Sequence, residues 1–246
     1  MNILVVNDDG YQASGLHTLV KALAIFGNVY VAAPETGQSG KSMAISIRKN
    51  IHIFYPDPIV GSKSTIAVDG TPSDCVSIGL KAFNVDFDLC VSGINYGHNI
   101  ATDVFYSGTV GAAREAKFKD IPAIAVSAAN PHLDYLYDET VKLFDEIFES
   151  KIYVGSHILN INFPHVKYQK PVGVKITRLG KRHQYSDFMP SKDMHMFVPN
   201  YSAKHYIEDE NSDVQATNDG FISITPLRFD TTDYDAIKHF MTATKT

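Results

Sequence analysis

An apolar run that stops on two adjacent carboxylates constrains this chain more than any other feature. Ile3-Leu4-Val5-Val6 leads straight into Asn7-Asp8-Asp9-Gly10. A short aliphatic stretch closed by turn residues reads as a strand buried on both faces, the kind found in parallel sheets. In open α/β sheets, ligands bind just beyond the carboxyl ends of such strands. Asp8 and Asp9 occupy that position. Two neighbouring carboxylates repel, and holding both beside a core is costly without a cation. Asp and Gly are also ordinary turn residues. This segment alone therefore supports a metal site and a plain strand-to-helix turn alike.

The following segments repeat the pattern. Ser14 offers an N-cap, and Leu16, Leu19, Val20 and Leu23 follow at helical spacing. Val29 to Ala33 reads as a second buried strand, ended by Pro34, and residues 35–42 as a polar, glycine-rich loop. Strands are expected near 45–53 and 64–69. Thr71-Pro72-Ser73-Asp74 opens a helix, with Thr71 as cap, Pro72 at the first helical position and Asp74 closing a capping box. Leu89 to Ser92 is a further strand, followed by a long loop over 93–108 and a helix from Thr109 to Phe118. A strand over Ala123–Ser127 and a helix over 134–150 complete the series. Strands alternating with helices argue for an α/β fold, a doubly wound, mostly parallel, Rossmann-like sheet. The pattern changes after Ile158–Asn162. Residues 172–225 read as scattered β segments, and Asp233 to Met241 as a terminal helix. We therefore expect an α/β catalytic core over 1–165. A β-rich extension with a C-terminal helix, over 166–246, packs on it.

Composition narrows the function classes. With 44% apolar and 20% charged residues, the chain is an ordinary globular protein. A net charge of −5 gives no general attraction for nucleic acid or anionic membranes. A nucleotide-sized ligand remains compatible, because a metal reverses the local charge. Cys75 and Cys90, the only cysteines, stand in apolar surroundings without metal-ligand spacing. They read as reduced core thiols, and with no evident signal peptide or membrane span the expected location is the cytoplasm.

Three polar loops follow three expected strands and can meet at one sheet edge. They carry Asp8 and Asp9, Ser39, and Asn95. All these donors are oxygen, which suits Mg²⁺, Mn²⁺ or Ca²⁺ rather than a closed zinc site. A fourth loop, Ser107-Gly108-Thr109, precedes a good helix. Free N–H groups and the helix dipole at such a start attract anions, and the small residues let a phosphate approach. The same residues also describe a simply capped helix.

Other signatures fail. Residues 35–42 end in Gly40-Lys41-Ser42 like a Walker A loop, but the glycine that opens that loop is Glu35 here, which would oppose phosphates. No GxGxxG follows the first strand. Aspartyl phosphatases of the haloacid dehalogenase type separate their two Asp residues by one residue, whereas Asp8 and Asp9 are adjacent. His98 is the only histidine in a candidate loop, and solvent exposure is its expected state.

Taken together, the segments VNDDG, the second-loop SG, VDGTPSDCV, DLCVSGINYGHN, DVFYSGTVGAAREA, LNINFP and GFISITPL occur in one order. This order resembles the SurE (survival protein E) family of metal-dependent 5′-nucleotidases along essentially the whole chain. The resemblance implies a phosphatase of nucleoside 5′-monophosphates, with 3′-monophosphates as further candidates. It implies one divalent cation per subunit on Asp8, Asp9, Ser39 and Asn95. Phosphate would be held by Asn95, Asn99, Ser107, Gly108 and Thr109, with Asp8 and Asp9 catalytic. Asp9 is our choice for general base or nucleophile; attack by water and a phospho-aspartate intermediate both remain open. The resemblance further implies a homodimer or homotetramer in which C-terminal segments embrace a neighbour. Tyr185, Phe188, Phe197, Tyr201 and Tyr206 would then supply interface or nucleoside-stacking surface. A metal-dependent nucleotide-binding regulator without turnover is the alternative. Three positions depart from the family pattern. Gly37 stands where Asn is usual, Asn99-Ile100-Ala101 where the third loop usually has Gly after Asn-Leu, and Ile121 where Gly commonly precedes Pro122. None is a proposed ligand.

Overall fold

The fold is taken from a computed structural model, which describes residues 1–243 except 131, 133, 183–186, 194, 201–205 and 208. Strand β1 (Asn2–Val6) is followed by α1 (Ser14–Leu23), β2 (Asn28–Pro34), β3 (Ile53–Phe54), β4 (Ser62–Val68) and α2 (Pro72–Ala82). Then come β5 (Leu89–Tyr96), α3 (Gly108–Phe118), β6 (Ala123–Ala128), α4 (Leu136–Ser150) and β7 (His157–Asn162). The last part holds β8 (Gly173–Ile176), β9 (Lys181–Arg182), β10 (Asp187–Pro190), β11 (Phe197–Asn200) and β12 (Tyr206–Ile207). It ends with α5 (Asp213–Asn218), β13 (Phe221–Arg228) and α6 (Tyr234–Ala243).

One nine-stranded sheet runs β3-β4-β2-β1-β5-β6-β7-β13-β8. From β4 to β7 all neighbours are parallel, while β3 and β13 pair antiparallel to β4 and β7. Among the parallel strands from β4 to β7, chain order runs outward from β1 through β2 to β4 in one direction and from β5 through β6 to β7 in the other. The switch point, where such sheets open a crevice, therefore lies between β1 and β5. Alternate residues of each strand feed two cores. Ile3, Val5 and Val91 pack with Leu16 and Leu19 of α1 and Leu143 and Phe144 of α4. Leu4, Val6 and Cys90 pack with Cys75 and Val76 of α2 and Val110 and Ala113 of α3. The sheet is covered on both faces at β1, so Ile3–Val6 has no polar side on which to pattern and reads as an unbroken apolar run.

Local signals explain most boundaries. The capping box of α2 forms as expected: the Asp74 N–H donates to Thr71 Oγ1 at 3.1 Å, and the Thr71 N–H donates to Asp74 Oδ2 at 2.9 Å. Such caps contribute about 1 kcal/mol.

Four expectations need correction. The N-cap of α1 is Ala13, with no side-chain bond, and Ser14 is already helical. Of the expected strand near 45–53 only Ile53 pairs, in the two-residue β3 at the sheet edge, because the segment before it is polar and mostly exposed. Strand β5 continues through Tyr96, so the expected loop 93–108 starts inside a strand and contains a 3₁₀ turn at Ala101–Phe105. The segment 172–225 also contains a helix, α5, capped by Ser212 Oγ accepting the Gln215 N–H at 3.2 Å. Of the aromatics expected at an interface, Phe188 and Phe197 are exposed, and Tyr185, Tyr201 and the Tyr206 side chain lie outside the described residues. Among the described residues no helix is long and apolar enough to cross a membrane.

Candidate active site

Asp8 and Asp9 leave the end of β1 at the switch point. The turn that carries them is closed by Asn7, whose Nδ2 donates to the Gly10 carbonyl at 2.8 Å. Asp8 is 4% exposed, and its neighbour is only half-buried. Its Oδ1 accepts a 2.5 Å hydrogen bond from the Thr109 hydroxyl. Oδ2 of Asp9 accepts the Tyr96 N–H at 2.9 Å, joining the β1 turn to the end of β5.

Burial pushes the Asp8 carboxyl up to about 6; the Thr109 hydrogen bond opposes that rise and the charge of Asp9 adds to it. Burial also raises Asp9, against the Tyr96 N–H. The two acids therefore hold their charge at a cost, which a divalent cation would offset.

The other expected residues reach this point from three loops. The Gln38 N–H donates to the Asp8 carbonyl at 2.7 Å, which lays the second loop beside the turn and puts exposed Ser39 one residue beyond the anchor. Asn95 stands on β5 opposite Ser127, after a register shift that inserts one residue between Ser92 and Asn95. Gly93 permits that shift: its φ is +139°, and a Cβ there would lie 2.2 Å from the Val126 carbonyl oxygen. Nδ2 of Asn95 donates to the Gly97 carbonyl at 2.7 Å. Its Oδ1 is the remaining donor a cation could use.

The start of α3 closes the site. Ser107 is its N-cap, accepting the Val110 N–H at 3.1 Å. A Cβ on Gly108 would meet Asp8 Cβ and Oδ2 at 2.9 Å and Pro72 Cγ at 3.2 Å. Only glycine lets the helix start lie against the carboxylate. Thr109, expected to serve an anion, spends its hydroxyl on Asp8. Asn99 is 7% exposed and donates Nδ2–H to Ser127 Oγ at 2.9 Å. His98 is half-buried rather than solvent-exposed, because its Nε2 lies 2.7 Å from the Phe163 carbonyl.

The sequence reading missed Asn160 and Asn162, which hold the Asn99 backbone from β7. Their signal was two asparagines two residues apart inside a buried strand. It also missed Asp213, whose Oδ2 accepts the Ala101 N–H at 2.8 Å from a segment read as strand. Among the described residues no group of three His, Cys, Asp or Glu side chains converges, so any cation here rests on the two carboxylates and neutral oxygens.

Residues 3–186 match the family model for survival protein SurE. The chain is 37% identical over 251 residues to the 5′-nucleotidase SurE of Alkaliphilus metalliredigens (strain QYMF), covering 97% of this chain and 96% of that protein. It is 36% identical over 247 residues to the 5′/3′-nucleotidase SurE of Shigella dysenteriae serotype 1 (strain Sd197), covering 96% and 93%. The crystal structure of the SurE protein from Aquifex aeolicus superposes with a TM-score of 0.81 at 30% identity, covering 99% of both chains. A carboxylate pair at the switch point of this sheet, in a chain matched from end to end by such relatives, makes this protein a member of the SurE family.

Proposed function

We infer that this protein is a divalent-metal-dependent phosphatase that hydrolyses nucleoside 5′-monophosphates to nucleoside and phosphate. The observation that carries this reading is Asp8 and Asp9, both raised by burial, at the switch point beneath the first turn of α3. Relatives named 5′-nucleotidase and 5′/3′-nucleotidase support the substrate class and extend it to 3′-monophosphates.

The residues fit one hard cation per subunit. Asp8 and Asp9 would hold it with charge, and Ser39 and Asn95 with neutral oxygen. When bound, Mg²⁺ or Mn²⁺ supplies charge neutralisation for the phosphoryl oxygens and acidifies water; Ca²⁺ suits the same oxygens. The backbone N–H groups of Gly108 and Thr109, at the helix start, hold the phosphate together with Asn95 and Asn99. Ser107 orders that turn by capping it. Asp9, the more exposed acid, accepts a proton from the attacking water or attacks phosphorus itself. Isotope-labelled water followed into phosphate or into Asp9 separates these two courses.

The chain divides near residue 165 into the part bearing the site and an extension that assembles the protein in the cytoplasm as a homodimer or homotetramer. Exposed Phe188 and Phe197 on the β10–β11 hairpin and α6, which buries none of its residues, support this use. Both cysteines are free and buried.

The direct test is phosphate release from AMP or GMP with Mn²⁺ or Mg²⁺, with and without chelator. Metal-dependent release is the expected result. Nucleotide binding with no turnover under saturating metal would sink the enzyme reading in favour of a binding regulator.

A further inference from the structure

Asn99 hangs from side chains that lie far away in sequence. Asn162 accepts the Asn99 N–H on Oδ1 at 2.8 Å and donates Nδ2–H to the Asn99 carbonyl at 3.1 Å. Asn160 donates Nδ2–H to the same carbonyl at 2.8 Å. Both asparagines are wholly buried, and being two apart on β7 they face the same side. A buried amide is expensive unless its polar atoms are paired. Here Oδ1 and Nδ2 of Asn162 and Nδ2 of Asn160 are paired with a loop peptide rather than with a neighbouring strand, while Oδ1 of Asn160 has no partner among the described residues. Two side chains thus do for Asn99 what a β ladder does for a strand residue. Ser127 holds the Asn99 side chain, and Asp213 holds the next turn at Ala101.

We infer that Asn160 and Asn162 are positioning residues that act through Asn99, fixing the peptide from which its side chain serves the phosphate. This rests on the reading that Asn99 acts at the phosphate. Sites of this kind lose function when the supporting groups let a contact drift, even though the contact residue is present. Neither asparagine contributes to the cation, so its loss separates phosphate binding from metal binding.

The test compares Asn162→Ala and Asn160→Ala with Asn99→Ala and the Asn99→Ala/Asn162→Ala double variant. The readouts are KM and kcat for AMP, inhibition by inorganic phosphate at saturating Mn²⁺, and the Mn²⁺ concentration for half activity. Asn162→Ala is expected to raise the phosphate inhibition constant about tenfold. Its Mn²⁺ half-saturation should stay within about twofold, and the double variant should be no worse than Asn99→Ala alone, because coupled residues are not additive. A phosphate constant unchanged in Asn162→Ala but raised in Asn99→Ala would overturn the inference, as would additive effects in the double variant. If Asn99→Ala itself changes nothing, the reading of Asn99 falls and the inference with it. Should Asn162→Ala fail to fold, Asn162→Asp decides on the same readouts: it keeps the acceptor for the Asn99 N–H and sets a carboxylate against the Asn99 carbonyl.

Discussion

The hydroxyl of Thr109 donates to Oδ1 of Asp8 across 2.5 Å, tying the first turn of α3 to the end of β1. A residue from the candidate phosphate loop therefore orients a candidate metal ligand. Removing it should show in both functions. Thr109→Val deletes a hydrogen bond to a buried carboxylate, worth about 1.5–3 kcal/mol. We expect Mn²⁺ affinity to fall by roughly tenfold to a hundredfold on that basis. Calorimetric titration with Mn²⁺ checks this; an unchanged isotherm would remove Thr109 from the metal's support.

Gly108→Ala should be worse than its size suggests. The added methyl would press on Asp8 Cβ and Oδ2 and on the Pro72 ring. Asp8 is fixed by burial and the helix start by its cap, so neither yields cheaply. Phosphatase activity is expected to drop by at least about tenfold, with metal and phosphate affinity weakened together, since overpacking costs about 1–3 kcal/mol. Titrating each ligand separately on the variant tells whether only one is affected, which would contradict the shared contact.

Replacing either acid tests the charge argument. Asp8→Asn or Asp9→Asn should lower activity by orders of magnitude while leaving circular dichroism unchanged. Without metal, Asp8→Asn should melt at a higher temperature than the wild type at neutral pH, because it removes a buried charge beside a like charge. Near wild-type turnover in either variant at ordinary metal concentrations would defeat the ligand assignment.

The pH dependence of the metal-free protein follows with a definite sign. Asp8 is raised from 3.8 to about 6, so the folded state holds its proton more tightly than the unfolded state. That stabilisation is complete below the unfolded value and is lost as pH rises through about 6. Its size is about 3 kcal/mol, from 1.36 kcal/mol per pKa unit, and the rise of Asp9 acts in the same direction. Urea denaturation in chelator between pH 4 and 7 should show wild type losing stability relative to Asp8→Asn across this range. Parallel curves would show that Asp8 titrates normally.

Ala101 stands in the left-handed region, at φ +52°, where the family pattern has glycine. It is also wholly buried against Ile100 and Val214. Glycine there would relieve about 1–2 kcal/mol of backbone strain. It would lose about 0.8 kcal/mol of methyl burial and about 0.5–1 kcal/mol of unfolded-chain entropy. The terms nearly cancel, so Ala101→Gly should lie within about 0.5 kcal/mol of wild type. Ala116→Gly, equally buried but helical in α3, has no strain to relieve and should cost about 1–2 kcal/mol. Equal losses in denaturant titrations of the two variants would mean that Ala101 is unstrained.

Much of this protein is decided by interactions near in sequence. Apolar runs such as Ile3–Val6 specify buried strands, and Thr71-Pro72-Ser73-Asp74 specifies a helix start, because periodicity and caps act within one or two turns. Asp8, Asp9, Ser39, Asn95 and the Ser107–Thr109 loop were legible for the same reason, each following an expected strand or opening a helix. The tertiary structure decided what those residues touch. Sequence put Asn95 in a loop, whereas Gly93 carries β5 past Val126 and leaves Asn95 on a strand. It read Thr109 as an anion donor, yet the sheet order brings its hydroxyl to Asp8. It passed over Asn160, Asn162 and Asp213, whose partners at Asn99 and Ala101 lie more than sixty residues away in the chain. No local pattern encodes such pairs. They exist because burying an amide or carboxylate demands a partner, and only the packed sheet determines which one lies within reach.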